Sequence, residues 1–447
     1  KKKNKFDEDR LDEFYETIYG ECTMCRRCTM FCPFGIDVAS IISMARSLSA
    51  SQGKVPKELL KAVEGHLKSG NQMSITEEEW VDTLEWMEEE LQEELPGATI
   101  PLDKKGADFL YVVNAREPKF YPMDISQAAM VFYLAGADWT MSRKGWDVTN
   151  LAMFMGDIAG ATKIAKMVRD AAEELEVKRV VVTECGHALR SLQFESPIWL
   201  GRDHQFEVVH SVSLFAEYLR EGRIKLDKSV FANERCTYQD PCNVSRNGGC
   251  AQDGREIVKY LCEDFVEMEP HGEYNYCCGG GGGFIPMAGA FKERRLKSGK
   301  VKAEQIKATG ATICITPCHN CYDQLRDLSK EYELGIKVLS FKEMFEEALI
   351  IPEELKAKED DEDEEDEGVV EEEDEDFDDL GFSFTDSPEE ARVQVTAENR
   401  VTRAQSRALN QEAVERLERR QQEEAKQAVE ILERLKTLGR PEPKAGQ

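Results

Sequence analysis

Four cysteines fall in one short stretch, Cys22-Thr-Met-Cys25-Arg-Arg-Cys28-Thr-Met-Phe-Cys32-Pro33. A Cys-x2-Cys-x2-Cys-x3-Cys-Pro spacing lets a short loop wrap a cube of iron and sulfide with its thiolates pointing inward. The chemistry to expect is a 4Fe–4S cubane cluster, and with it electron transfer. Zinc is the plain alternative, but structural zinc sites usually split their cysteines into two separated pairs. A disulfide knot suits this spacing less.

A second constellation lies in the carboxyl-terminal half. It comprises Cys242, the adjacent pair Cys277-Cys278 in front of Gly279–Gly283, and Cys318-His319-Asn-Cys321. Two neighbouring cysteines cannot easily share one metal of a tetrahedral site, but they can bridge different irons of an opened cluster. The glycines let backbone approach such a cluster and offer its sulfurs amide donors. The Cys-x-x-Cys is expected at a strand-to-helix turn, where the helix N-terminus favours thiolate.

The chain has 447 residues, enough for two or three domains, and 14 cysteines, too many for inert core positions. It is too long for a disulfide scaffold, so reduced, metal-binding thiols in a cytosolic compartment are the expectation. The opening Lys-Lys-Lys-Asn-Lys, followed by acidic and polar residues, does not read as a signal peptide. No apolar run reaches the ~20 residues that span a bilayer. The net charge of −29 argues against nucleic acid as a partner. Much of it is local, since Glu353–Leu380 holds 19 acidic residues against 2 lysines.

The expected fold class is α/β. Residues 1–50 read as a ferredoxin-like cluster segment with helical flanks at Leu11–Tyr19 and Val38–Leu48. Residues 51–105 read as a helical connector, with helices at Val55–Leu67 and Thr76–Leu95 and a Pro96-Gly97 stop. Between 106 and 350, short apolar runs alternate with helical stretches, as in a largely parallel sheet. The runs expected as strands are Ala128–Ala135, Arg179–Thr183, Phe206–His210, Arg235–Tyr238, Ala311–Thr316 and Ile336–Leu339.

This region reads as two copies, 106–230 and 231–352. Val180–Ala188 matches Thr312–Cys321 in pattern, Trp139–Arg143 lies over Cys242–Arg246, and Phe154-Met155-Gly156 lies over Cys277-Cys278-Gly279. Of five thiol positions in the second copy, the first retains only Cys185, so the second is the expected working site. Residues 353–386 read as an acidic disordered linker. Residues 387–447 read as an amphipathic helical tail that starts at Ser387-Pro388 and carries Val414, Leu417, Leu432 and Leu435 on one face.

The first motif is similar to that of bacterial ferredoxins. The order Cys, Cys-Cys-Gly, Cys-x-x-Cys resembles the cysteine-rich (CCG) domain of heterodisulfide reductases and their relatives, over residues 10–350. Within that group the first motif and Glu184-Cys-Gly-His-Ala188 are most similar to the cytoplasmic iron–sulfur subunit of membrane redox complexes in sulfate reducers. The sulfite-reductase-associated and tetrahaem cytochrome c complexes are examples.

The resemblance implies a noncubane 4Fe–4S cluster held by Cys242, Cys277, Cys278, Cys318 and Cys321. It implies a peripheral place on the inner face of the cytoplasmic membrane and electron exchange with a membrane cytochrome b-type subunit, with a multihaem cytochrome c as a further partner. The implied substrate is a thiol/disulfide couple or a small carrier protein. Relatives usually carry two ferredoxin motifs, and this chain has one. Cys22, Cys25 and Cys28 are therefore the firm cubane ligands, while the fourth is Cys32, a partner's residue or Cys185. Cys185 could instead sit near the noncubane cluster.

His319 and His187 read as equivalent positions; either could protonate a departing thiolate, or simply shape its turn. Arg143 and Arg246 pair in the same way, as anion binders or helix caps. Cys236, Cys262 and Cys314 read as buried core thiols, and Cys250 as ambiguous. Gly279–Gly283 lacks the Lys-Ser/Thr of a phosphate loop, which argues against direct use of NAD or ATP. The rival functions are an electron conduit without its own substrate, as in iron–sulfur subunits of lactate, glycolate or glycerol-phosphate oxidases, and a non-enzymatic redox sensor.

Overall fold

A computed structural model describes residues 8–356. The acidic linker beyond Lys356 and the terminal amphipathic helix lie outside the described residues. Two parallel four-stranded sheets form the centre. The first contains β1 (Phe109–Val112), β2 (Trp139–Thr140), β3 (Arg179–Val182) and β4 (Glu207–His210), in the order β2-β1-β3-β4. The second contains β5 (Arg235–Tyr238), β6 (Asp264–Phe265), β7 (Ile313–Ile315) and β8 (Lys337–Leu339), in the order β6-β5-β7-β8. The same order in both sheets is the three-dimensional form of the duplication.

Two sequence expectations are corrected. Ala128–Ala135 is not a strand but the body of a helix, Met123–Leu134, buried along Met123–Phe132. An unbroken apolar run fits a fully buried helix as well as a buried strand, so periodicity could not separate them. The first strand is instead Phe-Leu-Tyr-Val at 109–112, registered on β3 from Phe109↔Arg179 to Val112↔Val182. Trp139 is also not the counterpart of Cys242. It opens the edge strand β2, whereas Cys242 follows the inner strand β5; the turn after β1 carries Asn114, Ala115 and Arg116.

Helices flank the sheets and one apolar core runs through both. Phe109, Tyr111 and Phe132 of the first copy and Tyr238, Ile315 and Phe341 of the second belong to a single buried cluster. Before the sheets, the helix Glu77–Glu94 begins with a reciprocal Thr76/Glu79 capping box and packs Trp80 on Trp146, ring centroids 4.2 Å apart.

The amino-terminal segment is clasped to both copies by one side chain. Arg46, on the helix Val38–Ser51, is fully buried. Its guanidinium donates to Ile18 O at 2.9 Å, Cys22 O at 2.7 Å, Phe154 O at 2.6 Å and Gly282 O at 2.9 Å. Burial draws its pKa down to about 10, against the pull of Cys22 and Tyr19, so it is charged at neutral pH. Two left-handed glycines, one per copy, make room for this segment. A Cβ on Gly156 (φ +94) would lie 2.4 Å from Arg46 C, and one on Gly282 (φ +69) 2.7 Å from Thr23 C.

Replacing Arg46 with Leu should strip four buried carbonyls of their donor and cost about 3–5 kcal/mol. Anaerobic denaturant unfolding and limited proteolysis check this, with cleavage expected first between residues 20 and 57.

Candidate metal centre

The amino-terminal cysteine loop is shaped by backbone that side chains ordinarily avoid. Met24 (φ 56) and Arg26 (φ 63), on either side of Cys25, are both left-handed. Such residues persist only where the surroundings hold them, and they concentrate at functional sites. Asp37 supplies part of that hold. It accepts from Arg26 Nη2 at 2.8 Å and Thr29 Oγ1 at 2.8 Å, and caps the helix Val38–Ser51 through Ser40 N at 3.1 Å. Burial works against its ionisation, but bonds from Ser40 and Thr29 and the charge of Arg26 bring it down to about 2. Cys22 and Cys25 face inward, Cys28 is exposed and Cys32 is half-buried.

The second set of cysteines sits where the strand order of its sheet reverses. Open parallel sheets bind ligands outside the carboxyl ends of the strands at that switch point, here between β5 and β7. Cys242 follows β5, and Cys318 caps the helix His319–Glu331 that follows β7, with Cys321 in its first turn. The loop carrying Cys277-Cys278 closes the set. Cys277 contacts the thiols of Cys242 and Cys278, Cys278 Sγ lies 3.3 Å from Cys321 Sγ, and Cys321 contacts Cys318. A cavity of about 350 Å³ is lined by Cys242, Cys278, Cys318, Cys321, His187 and Gly282, among others.

Cys25 also contacts Cys277, so the two cysteine groups adjoin. The shared protons polarise the chain of thiols. Bonds from Cys242 and Cys25 pull Cys277 below the usual thiol range, and bonds from Cys277 and Cys321 pull Cys278 below it. Cys25, Cys242 and Cys321 move up, through the same thiol contacts and burial.

The donor set suits iron–sulfur clusters. Soft thiolates converge, and amides already reach three of them: Met24 N to Cys22 Sγ, Gly279 N to Cys277 Sγ and Gly280 N to Cys278 Sγ, each at 3.4 Å. The glycine run divides its labour. Gly279 and Gly280 donate to sulfur, while Gly281 and Gly282 pack against Thr23 of the first motif.

Cys185 is fully buried at the helix start after β3, the place Cys318 takes after β7. Its charged neighbours are Glu184 and Cys318, and its sulfur lies 2.9 Å from His187 Nδ1. It therefore sits beside the second cysteine group, across the pseudo-dyad.

His319 is not the histidine of the cavity. It follows Cys318 by one position, whereas His187 follows Cys185 by two, and the rings differ in direction. His187 lines the cavity and is kept neutral by burial, its pKa drawn down to about 4. His319 turns into the first copy, with Nε2 at 2.8 Å from Asp124 and Nδ1 at 3.4 Å from Glu184.

There it meets Lys342, which bonds Asp124 and lies 3.3 Å from Glu117. All five of these groups are buried. Burial opposes ionisation throughout, but the opposite charges hold His319 and Lys342 up and Asp124 and Glu184 down. Burial dominates at Glu117 and raises it. His319 and Lys342 thus face three buried carboxyls. Glu117, Glu184 and His319 offer ligand atoms within 4.8 Å of one another, but Lys342 already brings the cation. The first copy's switch point is thus filled by ions where the second carries thiols.

Arg246 and Arg143 are not equivalent. Arg246 donates to Cys25 O at 2.9 Å, Glu273 O at 2.7 Å and Asn275 O at 2.6 Å, tying the first cysteine loop to the turn before Cys277. Arg143 is exposed and pairs with Asp103. Neither is left open as an anion site. Cys236 and Cys314 lie in β5 and β7 and are buried, Cys262 caps the end of the helix Ala251–Leu261, 2.8 Å from Cys236, and Cys250 is buried at the start of that helix.

Residues 236–326 match the model of a cysteine-rich domain family, CCG. That span contains Cys242, Cys277, Cys278, Cys318 and Cys321. The chain is similar to heterodisulfide-reductase-like CCG iron–sulfur proteins. It is 25% identical over 399 residues to an Hdr-like menaquinol oxidoreductase iron–sulfur subunit of Archaeoglobus profundus, covering 77% of this chain and 69% of that one. A second such subunit, from Archaeoglobus fulgidus, is 25% identical over 78% of this chain and 70% of its own length. A dihydromethanophenazine:CoB–CoM heterodisulfide reductase chain from Methanosarcina barkeri is 24% identical, covering 76% of this chain and 80% of that one.

Three outcomes follow. Lys342→Met should cost about 3–5 kcal/mol by leaving buried carboxylates uncompensated, and adding Glu117→Gln should recover part of the loss in urea unfolding. Because Asp124 and Glu184 are depressed, their share of stability is present above the usual carboxylate pKa and lost as pH falls through their folded values. Cys185→Ala should leave the iron content and the reduced EPR signal of the Cys22–Cys32 cluster unchanged. A lost signal would make Cys185 one of its ligands.

Proposed function

We propose that this chain is the iron–sulfur redox subunit of a membrane-associated respiratory complex. It passes electrons between a membrane cytochrome or quinone module and a thiol/disulfide couple. The observation that carries this reading is the contact of Cys25 with Cys277, which joins a ferredoxin-type loop to a group of five thiols. The relatives' names add support: two are menaquinol oxidoreductase subunits and one belongs to a heterodisulfide reductase. Among the described residues no helix is long and apolar enough to cross a membrane. In this reading the chain lies against a membrane cytochrome subunit on the cytoplasmic face.

Cys22, Cys25, Cys28 and Cys32 would hold the cubane, and Cys242, Cys277, Cys278, Cys318 and Cys321 the noncubane cluster. When bound, a noncubane cluster supplies one-electron steps and an iron open to sulfur, which avoids a free thiyl radical during disulfide cleavage. The chain's own residues prepare that site. Phe154, Pro241 and the glycine backbone limit water in the cavity. Gly279 N and Gly280 N stabilise negative charge on sulfur. His187, neutral and at the cavity wall, can offer a ring N–H to a thiolate there. His319 serves the charge network that fixes the Cys318 turn.

Anaerobic EPR tests the reading. A paramagnetic signal that appears on oxidation and changes with added thiol is expected, and Cys277→Ser or Cys278→Ser should abolish it and disulfide turnover while the reduced Cys22–Cys32 signal persists. Turnover retained in both variants would sink the proposal.

A further inference from the structure

Lys302 stands out among the buried charges. It lies on the helix Ala288–Thr309, which follows the glycine run, and it is 1% exposed. Its ammonium bonds Met268 Sδ at 3.5 Å, a weak acceptor. Its ionisable neighbours, in order of influence, are Cys314, Asp240, Cys278 and Cys277. Asp240 is already committed. It takes both Arg255 Nη atoms at 2.8 Å, Gly272 N at 2.6 Å and Ser245 Oγ at 2.9 Å. An ammonium taken out of water without a carboxylate of its own is costly unless another anion compensates it. The groups left to do so are sulfurs.

We propose that Lys302 is the fixed countercharge of the cluster held by Cys242, Cys277, Cys278, Cys318 and Cys321. This rests on the proposed function and adds a positioning residue to it. The helix that carries it packs on the Cys277-Cys278 pair: a Cβ on Gly299, one turn before Lys302, would lie 2.9 Å from Cys278 O, and Met268, which accepts from the ammonium, shares a buried cluster with Cys278, Cys318 and Cys321, while the amides of Gly279 and Gly280 bond the pair's sulfurs. A cluster with several thiolate ligands gains negative charge on reduction, and a cation at its back favours the reduced state. One segment thus delivers the paired thiols, their amide donors and their countercharge.

The experiment is a redox titration followed by EPR on anaerobically purified full-length protein, comparing wild type with Lys302→Met and Lys302→Arg. In Lys302→Met the ratio of reduced to oxidised cluster at a fixed potential should fall at least tenfold, ~59 mV for a one-electron couple. Lys302→Arg should stay close to wild type, and the Cys22–Cys32 cluster is the internal reference. A Lys302→Met protein with full cluster content and an unmoved potential overturns the proposal. If Lys302→Met fails to assemble the cluster, Lys302→Arg decides: restored content and potential support the countercharge, and a defect equal to that of Met overturns it. A wild-type protein with the reference cluster but no oxidation-dependent signal removes the proposed function and this inference together. An unmoved potential in Lys302→Met removes this inference alone.

Discussion

The buried guanidinium of Arg46 is the constraint around which the pieces meet. Its acceptors come from the first helix, the Cys22 loop, the first copy at Phe154 and the second copy at Gly282. Without it, four carbonyls would face one another in a dry interior. Tyr19 strengthens the same joint by donating to Met155 O at 2.7 Å. Because Gly282 is five residues from Cys277, the clasp also sets how near the first cysteine loop comes to the second. Electron transfer between two clusters depends on that approach, so a single side chain connects packing to function.

The two copies show how one topology divides its roles. Both sheets reverse their strand order at the same place, and both carry chemistry-bearing residues there. In the second copy the switch point collects thiols. In the first it collects Glu117 and Glu184, whose countercharges, His319 and Lys342, come from the other copy. The residue after a cysteine of the working copy thus closes the interior of the scaffold copy. The ion network docks one copy on the other and orients the turn bearing Cys318. Such networks are weak sources of net stability but costly to break, and they suit a joint that must hold one geometry.

Charge balance runs through the whole centre. Asp240 is paired with Arg255, Asp37 with Arg26 and its hydroxyl and amide donors, and the buried carboxyls of the ion network with His319 and Lys342. Around Lys302, by contrast, the neighbouring groups besides Asp240 are sulfurs. Short amide contacts and one ammonium then face them in a low-dielectric surrounding, where each counts for more than in water.

Much of the chemistry was legible along the chain because its signals are local. Ligand spacing within Cys22–Cys32 and Cys318–Cys321, the adjacent Cys277-Cys278, and the strands at 179–182, 207–210, 235–238, 313–315 and 337–339 are all properties of a few consecutive residues. The duplication was readable for the same reason, through the repeated strand, cysteine turn and helix. The nature of 128–135 was not, because a run buried on every side has no periodicity to betray it. Arg46 left one faint trace, as the only charged residue in an apolar and serine-rich helix from Val38 to Gln52. Its partners, 24 to 236 residues away, left none. The direction of His319, the place of Cys185 beside Cys318 and the setting of Lys302 were decided by tertiary packing alone. Which charge faces which sulfur depends on contacts between distant segments, and spacing along a chain does not encode them.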